Sequence, residues 1–225
     1  MRKVRLTPGE FYHLYNRGTN KQDIFKDRRD WSRFIFLILH LQSPLNMSNI
    51  SRAVSGFTRN GRFGIARGTK EKIAKSKKVE LVNFCLMPNH FHLLVKEKTE
   101  GGISKYMQRL LNGYTKYFNT KYQRIGHLFQ GPFQAVHVDN NPQLLYLSSY
   151  IHRNPRDLKE WCGKESEYPW SSYQDFTREN RWEKLLATDI LLEQFENSEY
   201  YKDFIETSAA KIGAELDAET TLDSE

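Results

Sequence analysis

The chain is short of three things, and each shortage narrows its class. Its 225 residues include only two cysteines, Cys85 and Cys162, far apart and in no metal-binding spacing. That argues against a disulfide scaffold and a cysteine-built zinc site, and it suits a reducing, cytoplasmic setting. No apolar run approaches the ~20 residues that a membrane-spanning helix needs. The basic start Met1-Arg2-Lys3-Val4-Arg5 is not followed by the apolar stretch of a secretion signal. Acidic residues are nearly missing from one segment: from Ser51 to Lys78, nine Lys and Arg stand against a single acid, Glu71.

What is present is aromatic and basic. Fourteen Phe, twelve Tyr and four Trp are enough to build the core of one large domain. The net charge is +7; the tail from Lys202 onward carries −5, so the remainder carries +12. A basic, aromatic-rich body is the electrostatic footprint of a nucleic-acid binder, although a solvated basic surface fits the charge alone equally well.

Phe11 to Tyr15 reads as a strand closed by the turn signal Asn16-Arg17-Gly18. Arg28 to Gln42 has a helical apolar period, with Asp30 as the expected N-cap. Ser43 to Lys78 reads as a polar, Gly-dotted insertion, with one short helix over Thr69 to Lys77. It fits a flexible solvated loop or a clamp on a phosphate backbone. Val79 to Met87 and His90 to Lys96 read as a hairpin, with Cys85 packing as a small hydrophobe. Ile103 to Tyr122 is a long helix, Leu128 to Val138 is extended, and Pro142 to Arg153 is a helix stopped by Asn154-Pro155. The order strand, helix, strand, strand, helix, strand predicts an α+β, ferredoxin-like split βαβ sandwich: an antiparallel sheet with helices on one face. Residues 1–158 are expected to form the main domain with the basic insertion 43–78. Residues 159–207 are expected to be a packed C-terminal extension, helical from Thr188 to Phe204, and 208–225 an acidic disordered tail.

Two features carry chemistry. His90 and His92 flank Phe91 on a strand, so both imidazoles point to one face and Phe91 to the other. Two imidazoles so placed suit one divalent cation with a third ligand from elsewhere; two ordinary strand histidines beside a turn fit the spacing as well. Tyr150 and Asn154 lie one helical turn apart. A tyrosine hydroxyl can act as a nucleophile and an amide oxygen can bind a hard cation, but alone the pair reads as a packing aromatic and a helix stop. Tyr114, Tyr117 and Tyr146 compete for the nucleophile's role.

Leu86-Met87-Pro88-Asn89-His90-Phe91-His92-Leu93-Leu94-Val95 resembles the His-hydrophobic-His motif of single-tyrosine transposases. Tyr12 to Gly18, Tyr114 to Asn119, Gly126 to Gly131, Tyr150 to Pro155 and Tyr168 to Tyr173 are similar, in order, to the REP-associated branch of that superfamily. The resemblance implies a ferredoxin-like transposase acting on single-stranded DNA, often in hairpin-forming repeats. It implies Mg²⁺ or Mn²⁺ on His90, His92 and Asn154, with Tyr150 as the nucleophile forming a 5′-phosphotyrosine link. Arg17, Arg52, Arg59, Arg62, Arg67, Lys116, His127 and Arg153 are the expected DNA contacts. A monomer is favoured over a dimer, with no membrane partner. A non-catalytic single-stranded DNA or RNA binder on the same fold is the alternative. The insertion and the acidic tail depart from the family pattern, as does Pro132, which follows Gln130-Gly131 where a basic residue is expected.

Overall fold

Four stretches of alternating or continuous apolar character become strands of one antiparallel sheet in the computed structural model, which describes residues 4–208. They are β1 (Phe11–Arg17), β2 (Val79–Met87), β3 (His90–Glu97) and β4 (Gln134–Val138), in the spatial order β2-β3-β1-β4. That order is the one the ferredoxin-like repeat produces. β1-α1-β2 and β3-α4-β4 are interleaved crossovers, where α1 spans Arg28–His40 and α4 spans Gly102–Tyr122. β4 is shorter than the extended segment expected from Leu128. Before it, only Phe129 bridges to Gly18.

Strand alternation gives the sheet two unlike faces. Phe91 turns toward α1, its ring 4.9 Å from Phe34. Phe34 in turn meets Tyr114 of α4 edge-on at 4.9 Å. Ile103, Tyr106, Met107, Leu110 and Phe118 complete this layer and are buried. The stripe at helical spacing is thus buried on the sheet, as an amphipathic period requires. The N-cap of α1 is Asp27 rather than Asp30. The Asp27 carboxylate accepts from the Arg29 and Asp30 amides, and the Asp30 carboxylate reaches back to the Asp27 amide. Asp30 is therefore the third-position acid of a capping box. It is fully buried because Tyr117, Lys121 and Tyr122 also donate to it.

The insertion 43–78 is folded. It holds α2 (Ile50–Asn60) and α3 (Arg67–Lys75), and α2 packs on the outer side of α1. Ala53, Val54 and Phe57 are the buried stripe of α2, and Phe57 stacks on Phe63 with ring centroids 4.3 Å apart.

A further helix, α5 (Asn141–Arg153), lies on the opposite face from α1 and α4. Asn140 caps it by accepting from the Gln143 amide, and Pro142 occupies the first turn, where no donor is needed. The C-terminal extension runs beside β2. It contains α6 (Tyr173–Thr177), α7 (Asp189–Leu192) and α8 (Ser198–Thr207), so the helix expected over 188–204 is broken between Glu193 and Asn197. This extension closes the outer edge of β2: the Leu86 amide donates to Trp170 O, the Ser172 amide to Phe84 O and the Ala187 amide to Leu81 O. An open edge would be a template for foreign strands. Among the described residues no helix is long and apolar enough to cross a membrane. The acidic tail beyond residue 208 lies outside the described residues.

Candidate active site

The β1–β3 register sets Tyr15 opposite His92, His13 opposite Leu94 and Arg17 opposite His90. Cys85 of β2 lies opposite His92 on the other side. Directly paired residues share a face. His13, Tyr15, Cys85, His90 and His92 therefore line the surface that α5 covers. The two histidines of β3 stand as the spacing predicts, with ring centroids 5.0 Å apart.

α5 delivers Tyr150 to this surface. Its ring meets His92 edge-on at 5.4 Å and His13 edge-on at 6.0 Å. Asn154, at the C-terminal end of α5, is buried, and its amide nitrogen donates to Tyr150 O at 2.9 Å. Burial pushes the Tyr150 phenol up to about 12, and the charges of Asp157, Tyr15 and Cys85 act in the same direction; a hydrogen bond with the Asn154 side chain pulls it down. Desolvation favours the neutral phenol, whereas the amide favours the phenolate.

Each histidine of the pair makes a hydrogen bond through Nδ1. His90 Nδ1 meets Asn89 Oδ1 at 2.6 Å, and an amide oxygen only accepts, so this ring donates from Nδ1. His92 Nδ1 meets His13 Nε2 at 2.8 Å. Burial holds the His13 imidazole down to about 3, so it is neutral and one ring donates to the other.

The positioning of α5 has its own polar frame. Asn83 Nδ2 donates to Ser148 Oγ at 2.9 Å, Ser148 Oγ meets Tyr201 OH at 2.6 Å, and Tyr201 OH meets His152 Nδ1 at 2.9 Å. His152 Nε2 meets Ser172 Oγ at 2.9 Å, and Ser172 Oγ accepts from the Phe84 amide. All five side chains are fully buried. A neutral His152 protonated on Nε2 gives each hydroxyl and both ring nitrogens a partner: Ser148 donates to Tyr201, Tyr201 to Nδ1, and Nε2–H to Ser172. Burial pushes His152 down to about 3, in keeping with that neutral form. The chain ties α5 to β2 through the C-terminal extension.

The competing tyrosines separate cleanly. Tyr114 is buried on the other face and donates to Ile24 O, and Tyr117 donates to Asp30. Tyr146 is exposed, one turn before Tyr150. Tyr15, which sequence reasoning placed only as a strand aromatic, lies 6.0 Å from His92 and 4.9 Å from His13, ring to ring. Its signal was the His13-x-Tyr15 spacing, which repeats the His90-x-His92 alternation.

The expected DNA contacts fall into three groups. Arg17 and His127 line one cleft next to the His90 end of the site. Arg153 is on the α5 turn that carries Tyr150 and is buried, with Nη1 lacking a hydrogen-bond partner. Arg52 and Arg59 on α2 and Lys116 on α4 are exposed on elements of the α1 side, and Arg62 and Arg67 are exposed as well, with α3 packed on residues 183–185 of the C-terminal extension. The structure does not bring them to the His92–Tyr150 surface, because α2 stacks on α1 and α1 is separated from that surface by the sheet. Among the described residues no three His, Cys, Asp or Glu side chains cluster as a metal site.

A strand-borne histidine pair thus lies beside a helix-borne tyrosine and amide on a ferredoxin-like sheet. Residues 65–154 match the model of the family described as "Transposase IS200 like". A solved structure of a REP-associated tyrosine transposase bound to a REP hairpin has the same fold. The TM-score is 0.51 at 13% identity, over 83% of this chain and 90% of that one. No curated protein matches the sequence.

Proposed function

We propose that the protein is a transposase that nicks and rejoins single-stranded DNA through a covalent link to Tyr150. The observation that carries this reading is the Tyr150 ring 5.4 Å from His92, with Asn154 one turn further along the same helix. Tyr150 Oη attacks a phosphodiester phosphorus, and the phenol loses its proton. The P–O3′ bond breaks, and the leaving 3′ oxygen takes up a proton. The products are a 5′-phosphotyrosine and a free 3′-OH, and the bond energy kept in the phosphotyrosine lets a second 3′-OH reseal the strand.

The donor set fits a divalent cation. The two imidazoles are borderline donors and the amide oxygen a hard one, a mixture that Mn²⁺ accepts, and Mg²⁺ would lean on the amide and on phosphate and water oxygens. His90 and His92 would hold it through Nε2, since Asn89 and His13 engage Nδ1, and Asn154 would supply the oxygen. Such second-shell bonds fix the ring orientation of metal-ligating histidines. When bound, the ion supplies Lewis-acid polarisation of the phosphate and charge neutralisation. The burial that raises the Tyr150 phenol makes that supply valuable, because the phenol is otherwise a poor nucleophile at neutral pH.

The partner on this reading is single-stranded DNA, with hairpin-forming repeats the favoured form. The protein acts as a monomer, because the buried Ser148–Tyr201–His152 frame ties α5 to its own subunit's β2. Arg153, a buried cation three residues after Tyr150, is positioned on the chain to oppose phosphate charge. The competing reading is a non-catalytic binder. The test is incubation with Mn²⁺ and labelled single-stranded DNA carrying the gene's own flanking sequence, followed by denaturing electrophoresis. A denaturation-resistant adduct that vanishes with EDTA is expected; binding without any adduct would support the non-catalytic reading.

A further inference from the structure

A cleft of about 370 Å³ opens at the end of β1, lined by Arg17, Lys21, His127, Gln130 and Gly131 among others. Three side chains that carry or can carry positive charge face one concave surface. Arg17 is the cross-strand partner of His90, so the cleft begins where the histidine pair ends.

Its walls are built rather than incidental. The Gly18 amide donates to Asn89 O at 2.8 Å, the Thr19 amide to Leu128 O at 3.0 Å and the Gln130 amide to Arg17 O at 2.9 Å. Gly18 has no room for a side chain, since a Cβ there would run into the Gln22 carbonyl oxygen. Asn20 and Lys21 are both left-handed, at φ 54° and 57°, a conformation that disfavours ordinary residues. Asn adopts this conformation readily, whereas Lys21 keeps it only where its surroundings hold it. The hold is visible: Asn89 Nδ2 donates to Lys21 O at 3.1 Å, while Asn89 Oδ1 takes the His90 Nδ1 proton. One side chain thus fixes both the strained turn and the first histidine of the site.

We propose that this cleft binds one nucleotide of the single strand running into the site, its phosphate held by Arg17 and Lys21 and its base stacked on His127. Cationic grooves that follow the backbone, with rings for bases to stack on, are how single strands are held without duplex geometry. The inference rests on the proposed nicking of single-stranded DNA, and it adds a position-specific subsite beside the reacting phosphate.

The test is fluorescence anisotropy with a 5′-labelled 20-mer of dT and no divalent ion. Arg17→Ala/Lys21→Ala is expected to weaken binding about tenfold or more near physiological salt, and to lower the salt slope by roughly 1.4, since each phosphate contact on a single strand contributes ~0.7. His127→Ala should weaken binding about fivefold or more, His127→Phe should restore it, and neither should alter binding of an abasic 20-mer. Lys72→Ala/Lys75→Ala, exposed cations on α3, should change affinity less than about twofold. If the Arg17/Lys21 double variant fails to fold by its melting curve, exposed Lys21→Ala alone carries the test, with a loss of roughly threefold. An unchanged affinity and slope, or an equal loss from the α3 pair, overturns the cleft. The two readings fail separately: wild type that binds dT but forms no adduct sinks the nicking chemistry alone, whereas an Arg17→Ala/Lys21→Ala protein that binds and reacts like wild type sinks the cleft alone.

Discussion

The two faces of the sheet are made by the same four strands and obey different rules. Toward α1 and α4, Phe91, Phe34, Tyr114 and Phe118 pack ring against ring in a dry layer. Toward α5, the same strands present His13, Tyr15, Asn83, Cys85 and His92; His13 and His92 hydrogen-bond each other, and Asn83 donates to Ser148 of α5, from which the bonded chain runs on to the C-terminal extension. The first face is held by apolar area and close packing, which tolerate some variation in shape. The second is held by a few directional contacts, each of which leaves a buried polar group stranded if its partner goes. Stability is concentrated on one face and chemistry on the other, with β1 and β3 common to both.

The largest effect that would test this contrast belongs to the dry face. Phe91→Ala is expected to cost about 3–5 kcal/mol by denaturant unfolding, the range for a buried aromatic reduced to Ala. A loss below about 1 kcal/mol would show that the α1 side does not carry the fold. Next comes the polar frame of α5: Tyr201→Phe removes one hydroxyl between Ser148 and His152 and should cost about 1–3 kcal/mol. It should also slow adduct formation at saturating DNA. A purely structural role would lower the melting point and leave that rate untouched.

His13→Ala strands His92 Nδ1 and should cost about 1–3 kcal/mol in unfolding, and it should lower Mn²⁺ affinity about 10- to 100-fold by calorimetric titration, the range for outer partners of metal ligands. Unchanged affinity would mean that the His13–His92 contact is packing only. The acid response is a slope rather than a single loss. Burial holds His40 down to about 4 and His152 down to about 3, both below an unfolded histidine. As pH falls below ~6.5 the unfolded chain takes up their protons first. Stability is therefore complete above that pH and falls on acidification by up to about 1.4 kcal/mol per pH unit for each histidine. Urea unfolding from pH 7 to 5 should show this slope, and His40→Phe should flatten it by about one proton. A slope unaltered by that change would contradict the assignment. At the bottom, Lys72→Ala on exposed α3 should alter stability by no more than about 0.5 kcal/mol.

The dry face was the more legible in sequence. Val79–Met87 is a nearly unbroken apolar run, and the stripe Ile103, Tyr106, Met107, Leu110, Tyr114, Phe118 has one consistent period, so elements and core could be read directly. The chemical face was half legible. Alternation put His90 and His92 together, and helical spacing put Tyr150 beside Asn154, but cross-strand register is a tertiary fact. That is why spacing alone places neither His13 nor Tyr15 beside the histidine pair. The insertion misled because its polar, Gly-dotted composition resembles a loop. The spacing Ala53, Val54, Phe57 was the apolar stripe of α2, too short to stand out until α1 offered it a surface. The break between α7 and α8 has a local signal in Asn197, whose side chain accepts from the Glu199 and Tyr200 amides and starts a new helix.

The central claim is that the polar face carries one nucleophile, and that it is Tyr150. The most direct measurement is peptide mass spectrometry of the protein after incubation with Mn²⁺ and single-stranded DNA from its own flanks. The expected result is a nucleotide-5′-phosphate on the peptide containing Tyr150, absent from Tyr150→Phe. A modification on Tyr15 or Tyr146 instead, or one that persists in Tyr150→Phe, would contradict it.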